Sequence, residues 1–434
     1  MTSEMAGVWA FLAALFLTMI GVPVSISMLS VGVIGFGLLN GWGMAGYILG
    51  SAPFEAVFPY GLSVVPLFVG MGVFAAHAGL SRSLFDAVNL MVGRFRGGLA
   101  IAAIGACAIF GAICGSSLAT AATMGRIAVP EMLRAGYAKS ISAATVAAAG
   151  TLGVLIPPSV LLVIYALLTE TSIGKLFAAA LIPGLIATGL YIATVVISIR
   201  LDPSLVKLPE KDDSIDRAAV MRRVMPVVGL FTVVIGGLYA GFFSPTEAAA
   251  VGAIGAFMLA IVLGSKTSRW TNMFSAALET ARTSSMIFMI LIGAAMFNFL
   301  IEGTGLTTLL GGWVTDAGLP AWGVMLVIIV FYVILGCFMD ALSMMLLTIP
   351  VVFPIVSSLG YDPIWFGILI VSVAEIGLIT PPIGMNLFVI QGVAPDVGQR
   401  DIVKGIVPFI IADIFRIALL VLFPGLALFL PSLM

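Results

Sequence analysis

Long apolar segments follow one another along almost the whole of this 434-residue chain, and they constrain its fold more than any other feature. A helix needs about 20 apolar residues, with a range of roughly 17–25, to cross the hydrocarbon core of a bilayer. Charged residues make up only 9% of the chain, against about 25% in soluble domains. We therefore expect an all-α polytopic membrane protein that is solvated mainly by lipid. The net charge of −1 gives no indication of a nucleic-acid partner.

The apolar segments are of two kinds, single crossings and interrupted pairs. The length rule predicts crossings at 5–20, 23–39, 61–78, 140–168, 176–199, 224–243, 246–264, 284–301, 365–394 and 406–430. Two interrupted pairs of shorter segments, 98–131 and 321–357, are predicted to be re-entrant hairpins. Two of the crossings, 140–168 and 365–394, each contain a Pro-Pro pair. Because proline removes a backbone donor and clashes with the preceding turn, each is expected to be a broken helix.

Three further segments are not predicted to be crossings. Residues 44–58 and 268–282 are predicted to be amphipathic helices at the membrane surface, because their apolar residues recur at helical spacing. Residues 200–223 are strongly polar and carry mixed charge. We expect them to form a cytoplasmic linker between the two halves of the chain.

The two halves of the chain resemble each other at a nearly constant offset in the numbering. Gly153 pairs with Gly377, and Ser116 falls opposite Asp340. The Pro-Pro pairs at 157–158 and 381–382 follow the same register. Internal repeats are typical of secondary transporters. We predict a first repeat at 1–199 with scaffold helices in 1–78, and a second at 224–434 with scaffold helices in 224–301.

The distribution of basic residues predicts the orientation of each repeat. The first hairpin is flanked by Arg94, Arg96, Arg134 and Lys139. Its base is therefore expected in the cytoplasm, where basic residues accumulate. Between Arg282 and Arg400 the chain contains no Lys or Arg, so the base of the second hairpin is expected outside. The repeats are thus predicted to be inverted, with both termini in the periplasm.

Hairpins that enter from opposite faces bring their tips to the middle of the bilayer, beside the broken helices. A break exposes backbone carbonyls, which suit sodium, and helix N-termini, which attract carboxylates. We therefore predict two sodium sites. The first comprises Gly115, Ser116, Ser117, Gly153 and Pro157. The second comprises Asp340, Ser343, Gly377, Thr380 and Pro381.

Asp340 is the most specific of these predictions. A carboxylate at this depth costs several kcal/mol unless it is paired, and no basic residue is near it in sequence, so a bound cation is the simplest partner. The alternative is a carboxylate that is protonated or hydrogen-bonded for structural reasons. Substrate contacts are predicted at Ser116, Ser117, Thr120 and Asn386. Small hydroxyl residues also permit close helix packing, Asn386 could bond a neighbouring backbone, and Glu375 could assist the second site or make a structural hydrogen bond.

Four stretches of this sequence resemble the large membrane subunit of tripartite ATP-independent periplasmic (TRAP) transporters. They are GAICGSSLATAATMG (111–125), LGVLIPPS (152–159), MDALSMMLLTIPVVFPI (339–355) and GLITPPIGMN (377–386). The resemblance implies the fold of the ion-transporter superfamily and an elevator mechanism in a bacterial inner membrane. It implies sodium-coupled import of a carboxylate, with sodium at the Ser116 tip and at Asp340. It also implies two partners, a small membrane subunit and a periplasmic substrate-binding protein.

Two other functions are compatible with the same residues. A stand-alone sodium/dicarboxylate or citrate-type carrier of this fold would work without a binding protein. An intramembrane hydrolase could use Ser116 or Asp340, but the only histidine, His77, lies in another span, and Asp413 is expected near the start of the last one. Residues 264–267 lack the upstream glycine spacing of a nucleotide loop, so no nucleotide is predicted. We expect a transporter and not an enzyme.

Overall fold

A computed structural model describes residues 3–206, 217–264, 269–316, 318 and 320–434. Nearly all of them are helical. The α-helices are α1 (Ser3–Met19), α2 (Val24–Asn40), α3 (Trp42–Val57), α4 (Val64–His77), α5 (Leu80–Val92), α6 (Gly98–Cys114), α7 (Ser117–Arg134), α8 (Lys139–Leu155), α9 (Val160–Thr169), α10 (Ile173–Leu201), α11 (Arg217–Tyr239), α12 (Pro245–Leu263), α13 (Arg269–Thr304), α14 (Leu306–Asp316), α15 (Ala321–Gly336), α16 (Ala341–Ser358), α17 (Pro363–Ile379), α18 (Met385–Val393), α19 (Gln399–Leu422) and α20 (Gly425–Leu428). Short 3₁₀ helices lie at Tyr60–Ser63, Pro203–Leu205 and Pro431–Leu433.

Seven helices in the described ranges are long and apolar enough to cross a membrane. They are Tyr60–His77, Ile173–Leu201, Val220–Tyr239, Pro245–Leu263, Arg269–Thr304, Ala341–Ser358 and Gln399–Leu422. The bent pair α8 and α9, which meet at 42°, makes an eighth if it is counted as one span. The predicted crossings 5–20 and 23–39 correspond to α1 and α2, which are apolar but have only 17 residues each. The chain is a multi-pass helical membrane protein.

The two predicted hairpins are pairs of helices joined by short turns. Helix α6 ends at Cys114 and α7 begins at Ser117, while α15 ends at Gly336 and α16 begins at Ala341. Helix α16 has 18 residues and measures about 27 Å, close to the roughly 30 Å of a bilayer core. Its length would therefore allow it to cross, and its re-entrant path stays a prediction.

Both predicted broken helices are interrupted at their Pro-Pro pairs. The first breaks between Leu155 and Val160, and the second between Ile379 and Met385. Every residue of α8 from Ile141 onward and every residue of α17 from Trp365 onward is buried. A helix that is apolar all round is expected to lie in the interior. These two half-helices form the centre of the molecule.

The bounds of the helices recur in the second half of the chain. Helices α7, α8 and α9 begin at Ser117, Lys139 and Val160, and their counterparts α16, α17 and α18 begin at Ala341, Pro363 and Met385. The offset is the same for the first two pairs of helices, and it is longer by a single position for the third. The spacing that the sequence shows at a few glycines and prolines therefore extends to whole helices.

Three features differ from the sequence-based expectations. Residues 269–282 of the predicted surface helix and the predicted crossing 284–301 form one continuous helix, α13, whereas α3 and α4 are separated at Pro59; residue 268 lies outside the described residues. The amphipathic helices α5 and α14 had no counterpart in the predicted elements. Helix α10 runs to Leu201 and α11 begins at Arg217, so helices cover both ends of the predicted linker 200–223; residues 207–216 of that linker lie outside the described residues.

Helices α1, α2, α3 and α13 enclose a small hydrophobic core of their own, separate from the large central one. Its buried members are Ala10, Phe36, Ala45, Ile48, Ala52, Met296 and Leu300. Glycines allow α2 and α13 to approach closely, since a Cβ at Gly32 would lie 2.7 Å from the Met296 backbone. Small residues at helix contacts are typical of membrane proteins. Helices α1, α2 and α13 also contribute buried residues to the large core, among them Ala14, Met28 and Phe297, so the small core adjoins it.

Candidate functional site

The tip of the first hairpin contacts the break of the first broken helix. Gly115 is the C-cap of α6 and has a φ of 66°, a left-handed conformation that glycine adopts without strain. A Cβ at this position would lie 3.3 Å from the Pro158 carbonyl oxygen. Ser116 is the N-cap of α7, where its Oγ accepts a hydrogen bond from the Ala119 backbone N–H at 3.4 Å. The tip thus presents a helix N-terminus beside the break.

Thr120 lies just inside this tip and faces the end of α8. A Cβ at Gly153 would be 2.7 Å from Thr120 Oγ1 and 3.1 Å from the Ser116 carbonyl oxygen. Thr120 is fully buried, and the hydrogen-bond neighbour of its side chain among the described residues is the Cys114 thiol. A thiol is only a weak hydrogen-bond donor and acceptor, so Thr120 Oγ1 is incompletely satisfied. The predicted first site therefore has an oxygen available for a ligand.

The tip of the second hairpin is organised around Asp340. This residue is the N-cap of α16, and its two carboxylate oxygens accept hydrogen bonds from the Ser343 backbone N–H at 3.0 Å and the Ser343 Oγ at 2.5 Å. Asp340 is partly buried, whereas Ser343 is buried. The structure thus brings together the two hairpin residues of the predicted second site. It also places Asp340 in the same capping position as Ser116 in the first hairpin.

The second tip contacts the second break. The Gly384 backbone N–H donates a hydrogen bond to the Cys337 carbonyl at 3.3 Å. Thr380 is the C-cap of α17. Its Oγ1 donates a hydrogen bond to the Ile376 carbonyl at 2.6 Å, and its N–H donates one to the Gly377 carbonyl at 3.1 Å. Thr380 and Pro381 are partly exposed, whereas the corresponding residues at the first break are buried. The second break is therefore more exposed than the first.

Asn386 lies one residue inside α18 and is fully buried. Its Nδ2 donates a hydrogen bond to the Ala147 carbonyl of α8 at 3.0 Å, while its Oδ1 has no partner among the described residues. The side-chain amide therefore joins the second broken helix to the first. Only the carbonyl end of the side chain remains available to a substrate.

The second halves of the broken helices pack against the opposite hairpins. Helix α18 contacts α7, and α9 contacts α16. At the first of these contacts a Cβ on Gly125 would lie 2.8 Å from Val393 Cγ2. The residues of the two predicted sites therefore belong to one interlocked body.

Sequence reasoning named Glu375 and Asp413 but missed Arg416, which joins them in a buried group of charges beside the second break. Arg416 Nη1 donates to Glu375 Oε2 at 2.9 Å, and Arg416 Nη2 lies 3.0 Å from Asp413 Oδ1. All three residues are fully buried. Asp413 lies in the second half of α19 and not near the start of the last span. The sequence did contain a signal for these charges, because ionisable residues inside an apolar span are rare and are functional candidates by default.

Comparison with known proteins places this arrangement in a family. Residues 11–426 match the family model described as "Tripartite ATP-independent periplasmic transporter, DctM component". The chain belongs to this family. Its members are transporter permeases, so the chain is a membrane transport protein of the TRAP type and not an enzyme. The family description also makes it one component of a three-part system.

Individual relatives agree with this assignment, and a solved structure shares the fold. The chain is 37% identical to the C4-dicarboxylate TRAP transporter large permease protein DctM of Pseudomonas aeruginosa over 87% of its length and 88% of that protein. It is 32% identical to the ectoine/5-hydroxyectoine TRAP transporter large permease protein UehC of Ruegeria pomeroyi, over 98% of both chains. The structure superposes on the YdaH transporter of Alcanivorax borkumensis with a TM-score of 0.66 at 17% identity, covering 98% of both chains. That similarity concerns the fold alone.

Proposed function

We propose that this TRAP large permease imports a small organic anion, a carboxylate, across a bacterial inner membrane together with two or more sodium ions. The observation that carries the proposal is the pairing of each hairpin tip with one helix break. At the first, Gly115 packs against the Pro158 carbonyl oxygen. At the second, the Gly384 backbone N–H donates a hydrogen bond to the Cys337 carbonyl. Each pairing sets helix N-termini beside carbonyl-bearing helix ends, an arrangement that suits an anion together with a cation.

The proposed sodium sites follow from the polar atoms at these pairings. At the first, Thr120 Oγ1 and the carbonyls of Ser116 and Gly153 would face the ion. At the second, the Asp340 carboxylate and Ser343 Oγ would take part with the carbonyls of Gly377 and Thr380. Hard oxygen ligands of this kind suit sodium. The substrate carboxylate would be held by the N-termini of α7 and α16, with Ser116, Ser117 and Asn386 nearby.

The proposed mechanism is of the elevator type, with inverted repeats. The recurrence of helix bounds at a nearly constant offset supports two structural repeats. The small core shared by α1, α2, α3 and α13 supports a scaffold that includes these helices. The distribution of basic residues supports opposite orientations of the two repeats and periplasmic termini.

The proposed partners are a small membrane subunit and a periplasmic substrate-binding protein, which would complete the three-part system. Large aromatic residues in α1, in α3 and just after α3 are exposed, as expected of a surface in contact with lipid or another membrane chain. They include Trp9, Trp42, Tyr47, Phe54, Phe58 and Tyr60.

Sodium is expected to raise the melting temperature of the purified protein relative to potassium at equal ionic strength. A ligand that binds only the folded state stabilises it by about 2.7 kcal/mol at a hundredfold excess over its Kd. In Asp340→Asn the sodium-specific rise is expected to shrink, because the variant keeps a capping side chain but loses the negative charge. The measurement is thermal unfolding of wild type and variant in the two salts.

Asp362→Asn provides a matched control. Asp362 is also an N-cap, on α17, and accepts hydrogen bonds from Ile364 N at 2.8 Å and Trp365 N at 3.0 Å, but it is exposed and lies at the opposite end of that helix from the break. Its sodium response should equal that of wild type. An equal loss in both variants would mean that Asp340 holds no ion. A wild-type protein without any sodium-specific rise would remove sodium from the proposal.

Substrate uptake is expected to require both proposed partners. In proteoliposomes that contain this chain and its small subunit, uptake of a labelled C4-dicarboxylate should appear only when the cognate binding protein is added outside. Omission of the binding protein reports on the partner, while replacement of sodium by potassium reports on the ion. Full uptake by this chain alone would instead identify a stand-alone carrier of the same fold.

A further inference from the structure

Five fully buried polar side chains from four helices form a connected network in the centre of the molecule. They are Thr151 of α8, Tyr191 of α10, Glu375 of α17, and Asp413 and Arg416 of α19. The Tyr191 hydroxyl donates to Asp413 Oδ2 at 2.8 Å and lies 3.2 Å from Thr151 Oγ1. Arg416 contacts Asp413 at 3.0 Å and Glu375 at 2.9 Å. The network therefore runs without interruption from α8 to α17.

The two ends of this network occupy equivalent positions in the two halves of the chain. In the register of the repeat Thr151 falls opposite Glu375, and Tyr191 falls opposite Arg416 with the slightly longer offset that also relates α9 to α18. The first half thus carries a neutral hydroxyl pair where the second half carries an ion pair. Asp413 has no such counterpart, because the same register places it opposite Thr188 or Gly189. It is the residue that joins one pair to the other.

Each end of the network is attached to a broken helix close to its break. Thr151 lies two residues before Gly153, and Glu375 lies two residues before Gly377. Because the Tyr191 hydroxyl gives its hydrogen to Asp413, the single Thr151 hydroxyl hydrogen is directed either to the Tyr191 hydroxyl or to the Ala148 carbonyl 2.8 Å away. Arg416 Nη2 donates to the Ser372 carbonyl at 3.3 Å. Each half-helix thus meets the network within its last two turns, α8 through Thr151 and α17 through Glu375 and the Ser372 carbonyl.

Hydrogen bonds and ion pairs are directional, so they fix the relative position of the groups they join more strictly than apolar packing does. Buried ion pairs contribute little net stability relative to well-packed apolar residues, because desolvation offsets their attraction. A satisfied polar network instead rigidifies the groups that it joins and specifies one arrangement among several of similar packing. The arrangement specified here is the position of α8 relative to α17.

We infer that Tyr191, Asp413 and Arg416 are positioning residues that hold the breaks of the two broken helices in a fixed relation, so that both proposed ion sites form together. The inference rests on the proposed function for its link to sodium. Loss of the network should loosen both breaks at once, although the residues removed belong to neither proposed ion site. Tyr191 is the residue to change, because its hydroxyl joins the two halves while its ring packs on Phe409 at 5.6 Å.

The test compares Tyr191→Phe with Tyr239→Phe in the full chain. Tyr239 is a matched control, because its hydroxyl donates to the Phe177 carbonyl of α10 at 3.0 Å, outside the network. Hydrogen exchange is followed in peptides that cover 148–160 and 372–386. The sodium concentration for half-maximal uptake is measured in proteoliposomes that contain the partner subunits.

Tyr191→Phe is expected to speed exchange at both breaks and to raise the half-saturating sodium concentration about threefold to tenfold, the factor that one hydrogen bond represents. The maximal rate at saturating sodium should change little, and Tyr239→Phe should show neither effect. A lower melting temperature with unchanged exchange at 372–386 and unchanged sodium dependence would overturn the inference. If wild-type uptake does not depend on sodium, the proposed sodium coupling is wrong. Hydrogen exchange in the two peptides then tests the positioning role alone: faster exchange at both breaks in Tyr191→Phe supports it, and unchanged exchange contradicts it.

Discussion

Arg416→Met is expected to destabilise the folded protein by about 3–5 kcal/mol, the cost of removing one partner from a buried ion pair. The variant takes the guanidinium away from Glu375 and leaves Asp413 with the Tyr191 hydroxyl as its partner. Both carboxylates are fully buried, so water does not replace the lost guanidinium. Thermal unfolding of the purified chain in detergent measures the loss.

An exposed arginine and a compensated variant complete this experiment. Arg134 pairs with Glu131 at 3.1 Å, but its side chain is 72% exposed, so Arg134→Met should cost about 1 kcal/mol or less. Adding Glu375→Gln and Asp413→Asn to Arg416→Met removes the unpaired charges and should recover part of the stability. Equal melting temperatures for Arg416→Met and Arg134→Met would show that the buried pair has no such role.

Gly111→Ala is expected to abolish the sodium-dependent rise in melting temperature and to lower stability by about 1–3 kcal/mol, as overpacking typically does. A Cβ at Gly111 would lie 2.4 Å from the Gly153 Cα. The obstacle is backbone and not a flexible side chain, so α6 and α8 would have to separate. Their separation would move the first hairpin tip away from its break. Melting curves in sodium and potassium measure both effects.

Gly189→Ala is the control for this substitution. Gly189 lies in the neighbouring helix α10, and a Cβ there would meet no atom of the described residues within 4 Å. Alanine is also the better helix former, so this variant should be as stable as wild type or slightly more so. If Gly111→Ala kept the full sodium response, close contact between α6 and α8 would be unnecessary for the first site.

Much of the site region could be predicted from the sequence, because its turns and helix breaks are formed by residue types with strong local effects on the backbone. Gly115 to Ser117 and Asp340 mark the hairpin tips, and the Pro-Pro pairs mark the interrupted helices. Proline and capping residues act within one or two turns of themselves. A single sequence is therefore enough to place them. Their repetition at a constant offset indicated the order of the helices in both halves.

The remaining features depend on partners that are remote in the chain. Arg416 and Glu375 are 41 residues apart, and nothing local to either indicates the other. Asn386 finds its acceptor 239 residues away, at Ala147. The fusion of 269–282 with 284–301 into α13 follows from the lack of a proline or glycine between them, whereas Pro59 separates α3 from α4. The span rule alone divides that segment, because it scores hydropathy and not helix continuity.

The length of α13 has a mechanical consequence. Its 36 residues measure about 54 Å, almost twice the roughly 30 Å of a bilayer core. An unbroken rod of that length cannot stand upright within the hydrocarbon. Its excess length must be taken up by tilt or lie outside the hydrocarbon, and its first turns carry exposed Trp270 and Phe274, residue types that suit the headgroup region. Because α13 packs along α2 and α4, its inclination in the membrane also constrains theirs.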